Sequence, residues 1–201
     1  MDFSELKEKA KKSLEGKWSE TIKLMLAYTI LTGIFYGLGN TTDNTTAKSL
    51  YSLVAFVIVC FITFGYCSYF LKISRDEKVE WRELFSKTNL AFDCFIISLV
   101  TALAVFVGMM LLVVPGIIVA IMFSQAYFIK LDNPDMKAID TLSESARIIK
   151  GHKMDYFLLG LSFLGWLLLG LFTFGILYFW LTPYMSVTMC NFYNKIKDEK
   201  K

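Results

Sequence analysis

The chain has 201 residues, of which 55% are hydrophobic and only 19% charged, with a net charge of +3 and a mean hydropathy of +0.50. A soluble domain carries about 25% charged residues spread over its surface, whereas here the charges are bunched between apolar runs long enough to cross a hydrocarbon core about 30 Å thick. That pattern excludes a soluble globule, a disordered chain and a disulfide-stapled secreted mini-protein.

Taken in chain order, the pattern predicts an all-α polytopic membrane protein with six transmembrane helices. An amphipathic helix opens the chain over residues 1–20, with Phe3, Leu6, Ala10, Leu14 and Trp18 spaced by three and four. Its apolar side is expected to sink into the headgroup boundary while its lysines meet anionic lipid. The membrane segments are expected at Ile22–Leu38, Leu50–Leu71, Cys94–Val114, Gly116–Leu131, Tyr156–Phe174 and Ile176–Tyr193, all within one integral membrane domain covering 1–201. Backbone groups in lipid must be satisfied within the segment, so these are helices. The fourth is short and holds Ser124 and Gln125, and the fifth and sixth also read as one interrupted hairpin.

Two further surface helices are expected, about Glu77–Ser86 and Pro134–Ile149. The second of these would be capped by Asp132 or Asn133, start on Pro134, carry Met136, Ile139, Leu142 or Ser143, Ala146 and Ile149 as one stripe, and end at Gly151. A basic tail covers 194–201. All but Lys48 of the 21 lysines and arginines lie in the N-terminal stretch, the loop after the second segment, the loop after the fourth, or the tail. Short basic loops stay cytoplasmic, so six spans with both termini cytoplasmic fit every cluster. Localisation is therefore expected in the bacterial cytoplasmic membrane as a multi-pass protein, the bacterial setting resting on the family resemblance below. The outer side would hold only Gly39–Ser49 and two tight turns at Pro115-Gly116 and Gly175.

Chemistry is sparse. His152 is the one histidine, too few for a zinc site or a facial triad. Cys60, Cys67, Cys94 and Cys190 sit in or beside apolar segments without metal or redox spacing. No catalytic residue, metal or cofactor is expected, and an enzymatic role is disfavoured. Asp93 and Asp155 read as carboxylates at helix N-termini. Gly33 and Gly37 form a Gly-x-x-x-Gly packing face, and Pro183 interrupts the sixth helix. The candidate cavity or packing residues are Gln125, Ser162, Gly165, Trp166, Pro183 and Tyr184. Lys150, Gly151, His152 and Lys153 form a candidate interface.

The string Lys150-Gly151-His152-Lys153, Phe157, Ser162-Phe163, Gly165-Trp166, then Gly175, Trp180, Pro183-Tyr184 and Phe192-Tyr193 resembles a bacterial membrane family, the domain of unknown function numbered 975. Leu6-Lys7, Ala10, Leu14, Gly16 and Trp18 agree with its opening pattern, and Pro115-Gly116 leading to Asp132-Asn133-Pro134 with its middle. Gln125 and the short first outer loop depart from it. The resemblance implies a multi-helix integral membrane protein and supplies no activity.

Two functions remain in view. The first is a membrane-embedded accessory or assembly factor working through helix packing and its cytoplasmic surface helices. The alternative is a small transporter or lipid-handling protein. The expected partners are membrane lipids, with another membrane protein as a further candidate and no nucleic acid.

Overall fold

The computed structural model describes residues 2–39, 44–79 and 88–200. They form ten α-helices and a 3₁₀ turn at Thr88–Leu90, with no strand among the described residues: α1 Phe3–Leu14, α2 Trp18–Gly39, α3 Thr45–Ser74, α4 Ala91–Leu111, α5 Val113–Phe123, α6 Ala126–Asp132, α7 Ala138–Ile148, α8 Lys153–Leu161, α9 Leu164–Phe172 and α10 Tyr178–Asp198. Four stretches among the described residues are long and apolar enough to cross a membrane: Thr45–Ser74, Ala91–Leu111, Val113–Asp132 and Lys153–Phe172. The last two are each made of two short helices in line, α5 with α6 and α8 with α9.

The centre of the fold is α3 packed on α10, with α1 and α2 beside them, α4–α5 as a hairpin on one flank, and α7 laid across α4, α5 and α6. The main core gathers Leu14, Tyr69, Phe70, Ile73, Ile149, Phe163, Val187 and Phe192, all nearly or wholly buried.

The expected helix at the start of the chain is present, capped by the Asp2 carboxylate, which accepts from Ser4 N at 2.8 Å. The middle of its apolar side is covered by the protein itself. Leu6, Ala10 and Leu14 are buried against α10 and α3. Periodicity shows that a face is apolar but not what covers it. The expected surface helix 134–149 also corrects: α7 begins at Ala138 with Lys137 at the cap. The segment before it is pinned by Lys130, whose ammonium donates to the carbonyls of Pro134 at 2.8 Å and Met136 at 2.6 Å. Its buried side is Ala138, Thr141, Leu142, Ser145 and Ile148, while Ile139 faces outward. Gly151 ends this region as expected, at φ +98°, where a side chain would be strained. Of the helix expected at Glu77–Ser86, residues 80–86 lie outside the described residues. Asn44 caps α3, accepting from Thr46 N at 3.0 Å.

Close helix packing occurs away from the expected motif. Cβ atoms added at Gly33 or Gly37 would meet nothing within 4 Å. At Gly108 in α4, an added Cβ would lie 2.9 Å from the Gly116 Cα in α5. The chain reverses there at the single extended residue Leu112, three residues earlier than the expected Pro115-Gly116 turn. Two backbones meet at this crossing, so neither can yield as a flexible side chain would. Gly108→Ala is expected to cost about 1–3 kcal/mol by overpacking, read as a lowered unfolding midpoint in detergent. Gly33→Ala should instead stabilise by about 0.5–1 kcal/mol, since only helix propensity changes there.

Candidate functional site

Three of the long apolar elements are interrupted, and a cavity lies beside the first of these interruptions, at Ser124. The α5–α6 stretch breaks at Ser124-Gln125, α8–α9 breaks at Ser162-Phe163, and α10 carries Pro183 inside it. A proline has no N–H, so the carbonyl of Phe179 loses its helical donor. Between α3, the α5–α6 break, α8, α9 and α10 lies a cavity of about 390 Å³, lined by Tyr66, Cys67, Ser124, Tyr156, Thr182, Met185, Ser186 and neighbouring apolar side chains. Among the described residues no charged side chain lines it. A second cavity of about 380 Å³ opens between α4–α5 and α8. Ser124 and Tyr156 line both.

The break at Ser124-Gln125 is held from the side. Ser145 of α7 donates through Oγ to the Met122 carbonyl at 2.7 Å and accepts from the Gln125 backbone N–H at 3.2 Å. It thereby supplies groups that an unbroken helix would have supplied itself. Gln125 is wholly buried. Its Nε2 donates to Ser124 Oγ at 2.7 Å, and its Oε1 has no partner among the described residues. On the cavity wall, Tyr66 donates to the Met25 sulfur at 3.0 Å and lies 3.3 Å from Ser186 Oγ. Most hydroxyls of the wall are thus already engaged by the protein, which favours an apolar or weakly polar occupant.

The expected cavity residues divide. Trp166 and Tyr184 come together on a different, smaller groove of about 230 Å³, with Trp18, Trp180, Leu177, Leu181 and Lys11. Gln125 lies buried beside the cavity, next to the Ser124 that lines it. Pro183 is buried between Thr182, on the cavity, and Tyr184, on the groove. Ser162 folds back onto the Leu159 carbonyl at 2.5 Å, and both it and Gly165 lie exposed on the outside of the bundle. Of the hydroxyls that line the cavity, Ser124 stood out in the sequence as a polar residue in an apolar run, whereas Ser186, four residues after Thr182 on α10, did not.

The expected interface Lys150-Gly151-His152-Lys153 is engaged within the chain. The ammonium of Lys200 donates to the carbonyls of Arg147 and Lys150 at 2.9 and 2.8 Å, and His152 bridges Asp155 and Glu199 at 3.3 and 3.2 Å. Lys153 opens α8. Residues 194–198, expected as part of the basic tail, continue α10.

Two charged clusters close the same end of the bundle. Arg75, just past α3, grips Asp132 of α6 with two hydrogen bonds of 2.7 and 2.8 Å. Tyr193 donates to the same carboxylate at 2.9 Å, and Lys197 also pairs with it. The Asp132 contact holds the Arg75 guanidinium above its ordinary pKa. Beside this, the wholly buried Lys130 pairs with Asp93 at 2.6 Å. Asp93 therefore serves as a counter-ion across α4 and α6 beyond its place in the first turn of α4.

The described residues contain no group of three or more His, Cys, Asp or Glu side chains placed to hold a metal ion. Described residues that are helical throughout, with four membrane-length apolar stretches of which two are broken, have the build of a helical membrane protein. The chain belongs to the family described as Protein of unknown function (DUF975), whose model matches residues 1–114 and 96–200. No curated protein and no solved structure matches it.

Proposed function

We propose that the protein spans a membrane six times, with α2 and α10 adding to the four long apolar stretches, and that it carries or exchanges a neutral, largely apolar amphiphile through the cavity at the helix breaks. Both termini lie on the cytoplasmic side. In support, the contacts of Arg75, Lys130, Lys195 and Lys197 join α1, α3, α4, α6 and α10 at one end of the bundle, where a positive-inside arrangement wants its lysines and arginines.

The observation that carries the functional reading is the uncharged cavity of about 390 Å³ at the breaks. Interrupted helices lining a cavity mark substrate sites in membrane transporters, and this volume lies in the range of ligand pockets. The accessory-factor reading needs free apolar faces on the surface helices. α1 and α7 bury theirs in their own bundle, which moves support to the cavity.

The test is native mass spectrometry after gentle extraction. The wild-type chain is expected to carry a stoichiometric small amphiphile. Ser186→Trp, which fills the cavity, should lose it, while Leu168→Trp on the exposed side of α9 should keep it. A chain without bound mass, or one that keeps it equally in Ser186→Trp, would overturn the reading.

A further inference from the structure

The chain has four tryptophans, and three of them, Trp18, Trp166 and Trp180, line one groove between α1, the start of α2, α9 and α10. Tyr184 completes its aromatic wall. Everything on that wall is apolar except one residue at its rim, Lys11. One helical turn before it on α1, Lys7 lies 4.5 Å from the centre of the Phe163 ring, and that ring packs edge-on against Tyr184 at 5.7 Å. Lys11 therefore stands at the rim of the groove, and Lys7 stands over the buried Phe163 ring that backs its Tyr184 wall. Among the described residues neither is paired with a carboxylate. Partial burial lowers the Lys7 ammonium below its ordinary pKa, a cost that a nearby anion would offset.

The groove is a poor fit for a soluble anion, because its floor offers no polar atom. It is also a poor fit for a plain hydrocarbon, because the rim would leave two ammonium groups unmatched. Indole rings and lysines together are the side chains that seat at the boundary between acyl chain and headgroup. Trp166 and Trp180 stay about half exposed, at 53% and 47%, so the groove opens sideways to a molecule arriving from the bilayer.

We infer that this groove binds one anionic phospholipid, with an acyl chain against Trp18, Trp166 and Trp180 and the headgroup phosphate on Lys11 and Lys7. The site is separate from the cavity at the helix breaks and does not depend on what that cavity carries.

The three indoles supply the readout. In a Trp81→Phe background every remaining tryptophan lines the groove, and brominated acyl chains quench only the indoles they touch. The probes are phosphatidylglycerol and phosphatidylcholine with identical brominated chains, titrated into the protein in neutral detergent at low ionic strength. Two lysines near a lipid surface favour the anionic lipid enough for half-quenching at a roughly thirtyfold lower concentration. Lys7→Gln with Lys11→Gln should erase that preference. Lys9→Gln with Lys12→Gln removes the same charge from elsewhere on α1 and should keep it. Equal quenching by both lipids in the parent protein would overturn the site. A preference that survives Lys7→Gln/Lys11→Gln, or one lost equally in the Lys9/Lys12 control, would overturn the lysine assignment and leave a bulk charge effect. Ser186→Trp/Trp81→Phe, read by bound mass, tests the cavity separately, so either reading can fail alone.

Discussion

Asp132→Ala is expected to destabilise the fold by about 3–5 kcal/mol, the usual consequence of removing one partner from a buried charge cluster. The Asp132 side chain is only 9% exposed and receives both Arg75 hydrogen bonds, Tyr193 and Lys197. Without it, two cations remain at the junction of α3, α6 and α10 with no carboxylate between them. Arg75 keeps only its contacts to Asn194 Oδ1 at 3.1 and 3.0 Å. Unfolding by titration with a denaturing detergent measures the effect. The double variant Arg75→Met/Asp132→Leu should recover a large part of the loss, because an apolar pair of similar volume does not strand a charge. A loss under about 1 kcal/mol for Asp132→Ala would place this cluster with ordinary surface ion pairs.

Lys130→Met is expected to have an effect of similar size, about 3–5 kcal/mol, with a different signature. Methionine fills the same buried volume but donates nothing. The carbonyls of Pro134 and Met136 and the Asp93 carboxylate all lose the Lys130 donor, and a hydrogen bond to a charged group is worth about 1.5–3 kcal/mol. Those carbonyls hold the segment 133–137 that joins α6 to α7. Hydrogen exchange should therefore quicken first in 133–138, ahead of the bundle core. Asp93→Asn should be milder, since the Asp93 side chain is about a third exposed and an amide oxygen still accepts. Unchanged exchange in 133–138 on Lys130→Met would remove the pinning role.

The apolar runs were legible in the sequence because length and composition alone identify them. The segments expected at Leu50–Leu71 and Cys94–Val114 correspond to α3 and α4, each shifted or extended by a few residues. The breaks were legible only in part. Ser124-Gln125 drew notice as polar residues in an apolar run, and Pro183 because its ring forbids a regular helix. Nothing local marked the break at Ser162-Phe163, where the chain stays apolar on both sides. Tertiary partners were the main gap. The spacing of Leu6, Ala10 and Leu14 reads the same whether lipid or α10 covers the stripe. Gly33 and Gly37 matched a packing pattern yet face open space, while Gly108 and Gly116 meet across a hairpin and share no short motif. Lys130 looked like one more cytoplasmic lysine. Its burial depends on α4 and on the carbonyls of its own loop, which no window of sequence contains. The groove was foreseen through Trp166 and Tyr184, but its third wall comes from Trp18 and Lys11, far away in the chain.

The pairing of α1 with α10 also bears on how the protein is made. Glu5 binds Lys195, and Leu6 accepts a hydrogen bond from Asn191, so the first helix waits for nearly the whole chain before it meets its partner. At synthesis rates of about 5–20 residues per second, that wait is roughly 10–40 s. During it, the apolar side of α1 has only the bilayer surface or a chaperone to rest on. The bundle therefore closes last at its two ends, and a ribosome that stalls before α10 leaves an uncovered amphipathic helix at the membrane, a recognisable mark for quality control.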